Sequence, residues 1–183
     1  MTAIELIESR RSVRKYKNEK VSRELMREII SLSRWAPSWA NFQIARYTIV
    51  DDPKLIKEIH DRGVNGFAYN MSTLENAAGV MVLSYVNGQS GTYGKGKYVT
   101  SKGEKWDMFD SGIACQTFCL AAHAKGVGTC IFGIIDDSAI SQIISLPENE
   151  TVAAIITYGL EDGEHPAPTP RKDVEDIMRV AGE

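Results

Sequence analysis

Arg10-Arg11-Ser12-Val13-Arg14-Lys15 sets four cations and a hydroxyl within six consecutive positions of a 183-residue chain whose formal net charge is −3. Guanidinium groups are planar forks that meet phosphate oxygens two at a time, and a serine hydroxyl adds a further donor. The chemistry on offer is capture of a local anion. The same run also reads as solvated charge closing a short helix, where cations favour the negative end of the helix dipole. The segment alone leaves both readings open.

A second stretch, Pro37-Ser38-Trp39-Ala40-Asn41-Phe42-Gln43, mixes hydroxyl and amide groups with two flat apolar rings. A planar heterocycle with polar edges needs that mixture. Read by itself, the stretch is more simply a helix-terminating turn whose amide satisfies local backbone. Other patterns carry less. Gly91 to Lys97 looks like a phosphate-binding loop, but Tyr98 stands where the magnesium-binding Ser or Thr belongs and no helix start follows. Cys115, Cys119 and His123 lie at helical spacing among apolar neighbours, without the fourth ligand zinc requires, and read as core. The three histidines are scattered, and no glycine fingerprint for a dinucleotide follows a strand. An enzyme without an evident nucleophile or metal set takes its chemistry from an organic cofactor.

The elements that must hold these residues follow from periodicity and punctuation. A short helix is expected over 3–10. A second, over 23–35, has Ser22 as N-cap, Glu24 in its first turn and a face of Leu25, Met26, Ile29, Ile30 and Ser33; Pro37 stops it. Strands are expected at 46–50, 78–86, 128–134 and 152–159. Pro53 opens a helix running to Arg62, closed by Gly63. A helix over 106–125, apolar nearly all round, must be buried within the domain or against another subunit. A short helix opens near Asp137 or Ser138. Residues 88–103 read as a flexible glycine-rich loop, 163–171 as an extended proline-rich segment, and 172–180 as a short closing helix. Helices and strands mix without strict alternation, which points to an α+β fold.

Length favours one domain spanning 1–183, including a C-terminal extension over 163–183. The acidic balance speaks against a broad nucleic-acid surface. No apolar run reaches the ~20 residues of a membrane span, and the first residues carry no secretion signal. Three cysteines, an odd count, fit a reducing cytoplasm.

In order along the chain, these pieces resemble the nitroreductase family of FMN-dependent oxidoreductases. Arg10 to Arg14 is similar to the family's phosphate and flavin motif. Ala36-Pro37-Ser38 with Asn41 and Gln43 is similar to its second motif. Asn70, Asp110 to Gln116, Gly126 to Gly133 and Pro170-Arg171-Lys172 follow in the family's order. The resemblance covers about residues 3–178. It implies a mostly antiparallel central sheet flanked by helices, working as an intertwined homodimer with FMN sites at the interface. It further implies that Arg10, Ser12 and Arg171 hold the FMN phosphate, that Arg11 serves the ribityl chain and ring edge, and that Arg14 faces N1 and O2, where a cation stabilises the reduced ring's charge. Asn70 would bond the pyrimidine edge. Pro37, Ser38, Trp39 and Asn41 would come from the other subunit, with Gln43 near them, and Phe132 and Gly133 would turn backbone groups toward N5. No catalytic side chain and no metal are implied. NADH or NADPH would be the reductant, with nitroaromatics or quinones as acceptors in a ping-pong cycle. Ile44, Ala45, Thr73, Thr117 and Ile134 depart from the family's usual residues and bear on the substrate face. One alternative is an FMN-binding protein of the same fold with a specialised metabolite substrate or no general reductase turnover. Another is a nucleotide-binding regulatory module built on Gly91 to Lys97.

Overall fold

The computed structural model describes residues 1–64, 66–94 and 96–182. Lys95, within both the 88–103 loop and the Gly91 to Lys97 stretch, and Glu183, the last residue of the 163–183 extension, lie outside the described residues, as does Asn65.

Four strands, β1 (Ala45–Val50), β2 (Gly79–Val86), β3 (Gly128–Phe132) and β4 (Glu150–Gly159), form one sheet in the order β1-β2-β4-β3, with every pair antiparallel. Strand period decides the layers, because successive side chains point to opposite faces. On β2, Met81 and Leu83 join Ile156 and Tyr158 of β4 against α2 (Arg23–Ser33) and the 20-residue α5 (Lys105–Ala124), through Met26, Ile29, Phe118 and Cys119. Val80 and Val82 face the other way, toward Ile59, Leu74, Phe132 and Ile140. That second layer contains α3 (Pro53–Glu58), α4 (Ala68–Leu74) and α6 (Asp137–Ile143). The mixed, antiparallel architecture is the α+β fold expected.

Local signals set most element starts. Thr2 and Glu5 form a capping box on α1 (Ala3–Ser9). The Ser22 hydroxyl accepts the Leu25 N–H at 3.1 Å. Asp52 caps α3 with Pro53 in its first turn, and Asp136, just ahead of the expected residues, caps α6 through the Ala139 N–H at 2.8 Å.

Four expectations need correction. The helix from Pro53 ends as α-helix at Glu58 and widens into a π turn over Ile59–Gly63. Helix α4 was not expected: Phe67 precedes it without a side-chain cap, so it lacks the usual start signal. The closing helix is only α7 (Val174–Ile177), a single turn. The 88–103 loop is anchored at its start, where Ser90, Gly91 and Thr92 are buried.

Candidate functional site

Backbone fixes the first cluster. The Val13 N–H donates to the Thr129 carbonyl at 2.9 Å, and Ser12 pairs with Thr129 in a parallel bridge at the start of β3. The Tyr16 hydroxyl, buried, donates to the Val13 carbonyl at 2.6 Å and meets Thr157 Oγ1 at 2.9 Å; burial pushes its phenol well above the usual range. Gly128 lets this turn close down, since a Cβ there would meet Val13 at 2.9 Å. Over this fixed backbone the cations lack acidic partners: neither Arg10, Arg11 nor Arg14 forms an ion pair among the described residues. Arg11 is occupied by carbonyls, donating to Pro166 O at 3.2 Å and to Glu8 O. Arg14 is exposed, donates to Ser12 O at 3.1 Å and lies 5.2 Å over the Tyr69 ring. Arg10 lines a cavity of about 230 Å³ with Arg11, His123, Thr129 and Glu161.

These contacts close a ring around β3. Ser12 touches its start at Thr129, and its far end leads through Phe132 and Gly133 to Ile134. The Ile134 carbonyl lies 3.5 Å from the amide nitrogen of buried Asn70, next to the Tyr69 that carries Arg14. Gly133 faces open space, with nothing within 4 Å of where a Cβ would stand. So Arg10, Ser12, Arg14, Asn70, Phe132 and Gly133 come together. Phe132 itself is buried core, leaving its backbone as the available group.

The second motif is a different construction. Ala40 (φ 45°), Asn41 (φ 57°) and Gln43 (φ 51°) are all left-handed, a backbone that costs non-glycine residues about 1 kcal/mol or more each. Internal bonds hold it. Ser38 Oγ accepts the Gln43 N–H at 2.9 Å, and Asp110 of α5 accepts the Trp39 N–H at 2.9 Å together with the Ser90 hydroxyl. The Trp39 indole N–H donates to Thr92 O at 2.6 Å, and its ring lies 5.2 Å from that of Trp106. Asp107, one turn earlier on α5, accepts the Gly88 and Ser90 N–H groups at 3.0 and 3.1 Å; burial outweighs those donors and raises its carboxyl. Pro37, Ser38 and Gln43 line a separate cavity of about 180 Å³ with Asp110 and Ala114, while Asn41 is exposed.

Within one chain no hydrogen bond or ion pair joins this turn to the Arg10–Arg14 turn among the described residues. Arg171 is also apart: among the described residues its guanidinium bonds only Thr169 and the Pro170 carbonyl. Tyr69, Thr129, Glu161 and His165 belong to the neighbourhood of the first cluster but were not singled out by sequence, because each acts through a partner distant along the chain. Cys115 and Cys119 are buried in the core, and His123 bonds Ser9.

A sequence profile of the nitroreductase family matches residues 7–160. A protein of Archaeoglobus fulgidus named as an NADH dehydrogenase/NAD(P)H nitroreductase is 25% identical over 162 residues, covering 85% of this chain and 83% of its own. An NADPH-flavin oxidoreductase of Vibrio harveyi is 28% identical over 171 residues, covering 92% and 69%. A protein of Exiguobacterium sibiricum described as a nitroreductase, solved in complex with FMN, superposes with a TM-score of 0.83 at 19% identity, covering 98% of this chain and 97% of that one.

Proposed function

The chain belongs to the nitroreductase family, and we propose that it is an NAD(P)H-dependent oxidoreductase whose resident cofactor is FMN. The observation that carries the reading is the ring around β3, in which an arginine turn without ion pairs among the described residues, a buried asparagine and an open glycine backbone surround one strand. Those donors fit FMN: free guanidinium groups suit its phosphate, and Asn70 with the Gly133 backbone suits a flat ring with polar edges. FMN held there would supply hydride-acceptor chemistry between NADH or NADPH and a small acceptor such as a nitroaromatic or quinone.

Arg10 and Ser12 hold the phosphate, joined by Arg171 from the C-terminal extension. Arg11, tied to carbonyls, supports the turn and offers its remaining donors to the ribityl chain and ring edge. Arg14, steadied on Tyr69, places a cation where negative charge develops on the ring. Asn70 fixes the pyrimidine edge, and Phe132 and Gly133 offer backbone groups. Pro37, Ser38, Trp39, Asn41 and Gln43 serve the site of a second copy in a homodimer. Supporting that dimer, Ile4 and Ile7 of α1, Met108 and Phe109 of α5, and Val174, Ile177, Met178 and Val180 of the extension are all exposed in one chain.

The test is purification and spectroscopy. The protein should show a flavin absorption band, alone or after adding FMN, and NADH or NADPH should bleach it. A colourless protein that takes up no FMN overturns the reading. Bound flavin that dithionite bleaches but neither nicotinamide does would instead favour a flavoprotein without general reductase turnover.

A further inference from the structure

We propose that His165 is a positioning residue for the phosphate end of the site: as an imidazolium it ties the Ser9–Arg11 turn to the end of β4, and the grip on FMN loosens when it loses its proton. This rests on the flavin reading above.

The tie is written in donor and acceptor chemistry. His165 Nδ1 lies 2.8 Å from Glu161 Oε2, and Nε2 lies 2.7 Å from the Ser9 carbonyl oxygen. A carbonyl oxygen only accepts, and so does an ionised carboxylate. A neutral imidazole carries one N–H and can serve only one of them; the imidazolium serves both. The backbone at Glu161 is anchored. It pairs with Tyr16 in an antiparallel bridge, flanked by Lys17 N–H to Leu160 O at 2.8 Å and Asp162 N–H to Lys15 O at 3.1 Å. Ser9 is therefore moored through His165 to a point fixed on the sheet. A second line runs parallel, from Arg11 Nε to the Pro166 carbonyl at 3.2 Å.

Charge around the tie gives it a direction. Glu161 lines the same cavity as Arg10, and its Oε1 is buried without a partner. A bare carboxylate there opposes an anion at Arg10; the imidazolium offsets it. The other charged or titratable groups facing His165 are His123 from α5 and Arg10 and Arg11 from the turn itself. The His123 ring stacks on His165 at 6.0 Å with 16° between planes, and its Nε2 lies 2.7 Å from Ser9 Oγ. Burial, the His165 charge and Arg10 hold His123 below the usual histidine range, so of the two stacked rings His165 is the one that keeps its proton to higher pH. The Glu161 carboxylate and the Ser9 carbonyl hold His165 above it. A raised folded value means the tie is complete below the ordinary value of about 6.5 and is lost as pH rises through the folded value.

The experiment measures FMN and riboflavin dissociation constants by flavin fluorescence at pH 6 and pH 9 for the wild type, His165→Gln and Glu161→Gln, with the thermal unfolding midpoint of each. Glutamine donates through one group only and copies the neutral ring's shortage. FMN's own phosphate also titrates near pH 6, so the quantity read is the variant to wild-type ratio at each pH, from which that titration cancels. At pH 6 His165→Gln should bind FMN about fivefold more weakly than the wild type, the size of one ordinary hydrogen bond. At pH 9 the two should converge. Riboflavin, which lacks the phosphate, should show a ratio near one throughout. Glu161→Gln should shift the wild-type convergence to lower pH. An FMN ratio near one at pH 6, or one equally large at both pH values with only a lowered unfolding midpoint, overturns the positioning role while leaving the flavin reading intact. A wild type that binds no FMN at either pH overturns both.

Discussion

In the Arg10–Arg14 turn the backbone is consumed and the side chains are left over. Val13 is bonded on both sides, to Thr129 and to the Tyr16 hydroxyl, while the Arg10 guanidinium has no ion-pair partner among the described residues. The Ser38–Gln43 turn reverses this: its side-chain and carboxylate groups are spent on holding a left-handed backbone. Ser38 Oγ takes the Gln43 N–H, Asp110 takes the Trp39 N–H, and the Trp39 indole is committed to Thr92. Both turns mix cationic or polar groups with nearby aromatics. What separates a ligand site from scaffold is whether those groups are already paired, because a buried donor left unpaired costs free energy unless a ligand meets it. Trp39 accordingly has little beyond its ring face and exposed edge to offer a cofactor, whereas Arg10 has its whole fork.

The largest effect should come from emptying the clamp. Asp110 is 3% exposed and accepts from both Trp39 and Ser90. Asp110→Ala leaves one buried and one half-buried donor without an acceptor and should lower the unfolding free energy, measured in urea, by ~2–4 kcal/mol. A loss under ~1 kcal/mol would mean that the clamp is not what holds the left-handed turn. Arg10→Ala should do the opposite: unfolding within ~0.5 kcal/mol of the wild type, but FMN affinity, read by titration, weaker by ~1.5–3 kcal/mol, the scale of a charged hydrogen bond. If Arg10→Ala unfolds easily and binds FMN normally, the two turns have been assigned the wrong way round.

The two turns were also unequally legible. The strands, the long α5, the Ser22 cap and the Pro53 start announce themselves through neighbours a few residues apart, and the structure bears them out. The arginine cluster announces its anion chemistry by composition alone. The clamp does not, because Trp39 and its acceptors Asp110 and Thr92 are separated by more than fifty residues and meet only once α5 docks. Helix α4 was hidden for a local reason, its missing cap, and with it Tyr69, the platform under Arg14. His165 sits in a proline-rich run outside any helix or strand; nothing in that composition says that it returns to Ser9.

Gly128→Ala probes how far the free side chains depend on the fixed backbone beneath them. The added methyl meets Val13 Cβ and both its γ carbons at 2.9 Å, and a β-branched side chain cannot rotate away. Overpacking of this kind costs ~1–3 kcal/mol of stability. Because Val13 lies between Ser12 and Arg14, FMN affinity should fall alongside stability, unlike in Arg10→Ala, where the two properties separate. A Gly128→Ala protein that is destabilised yet binds FMN as well as the wild type would show that the cations do not need this backbone.

The smallest effect is a pH slope belonging to the clamp alone. Asp107 accepts two loop N–H groups, but burial prevails and raises its folded pKa above the unfolded carboxylate value. A raised value makes its contribution most favourable below about pH 4, the ordinary carboxylate range, and that contribution is lost as pH rises through the folded value. The wild type should therefore lose ground to Asp107→Asn, by about 1 kcal/mol or less, as unfolding is followed from pH 4 toward pH 7, with no further divergence once the carboxyl is ionised. A difference that is constant across that range would mean the two N–H donors fully offset the burial. The clamp would then titrate no differently from an exposed carboxylate. Its acid-side slope also separates it from the arginine turn, whose His165 tie responds only above the ordinary histidine range.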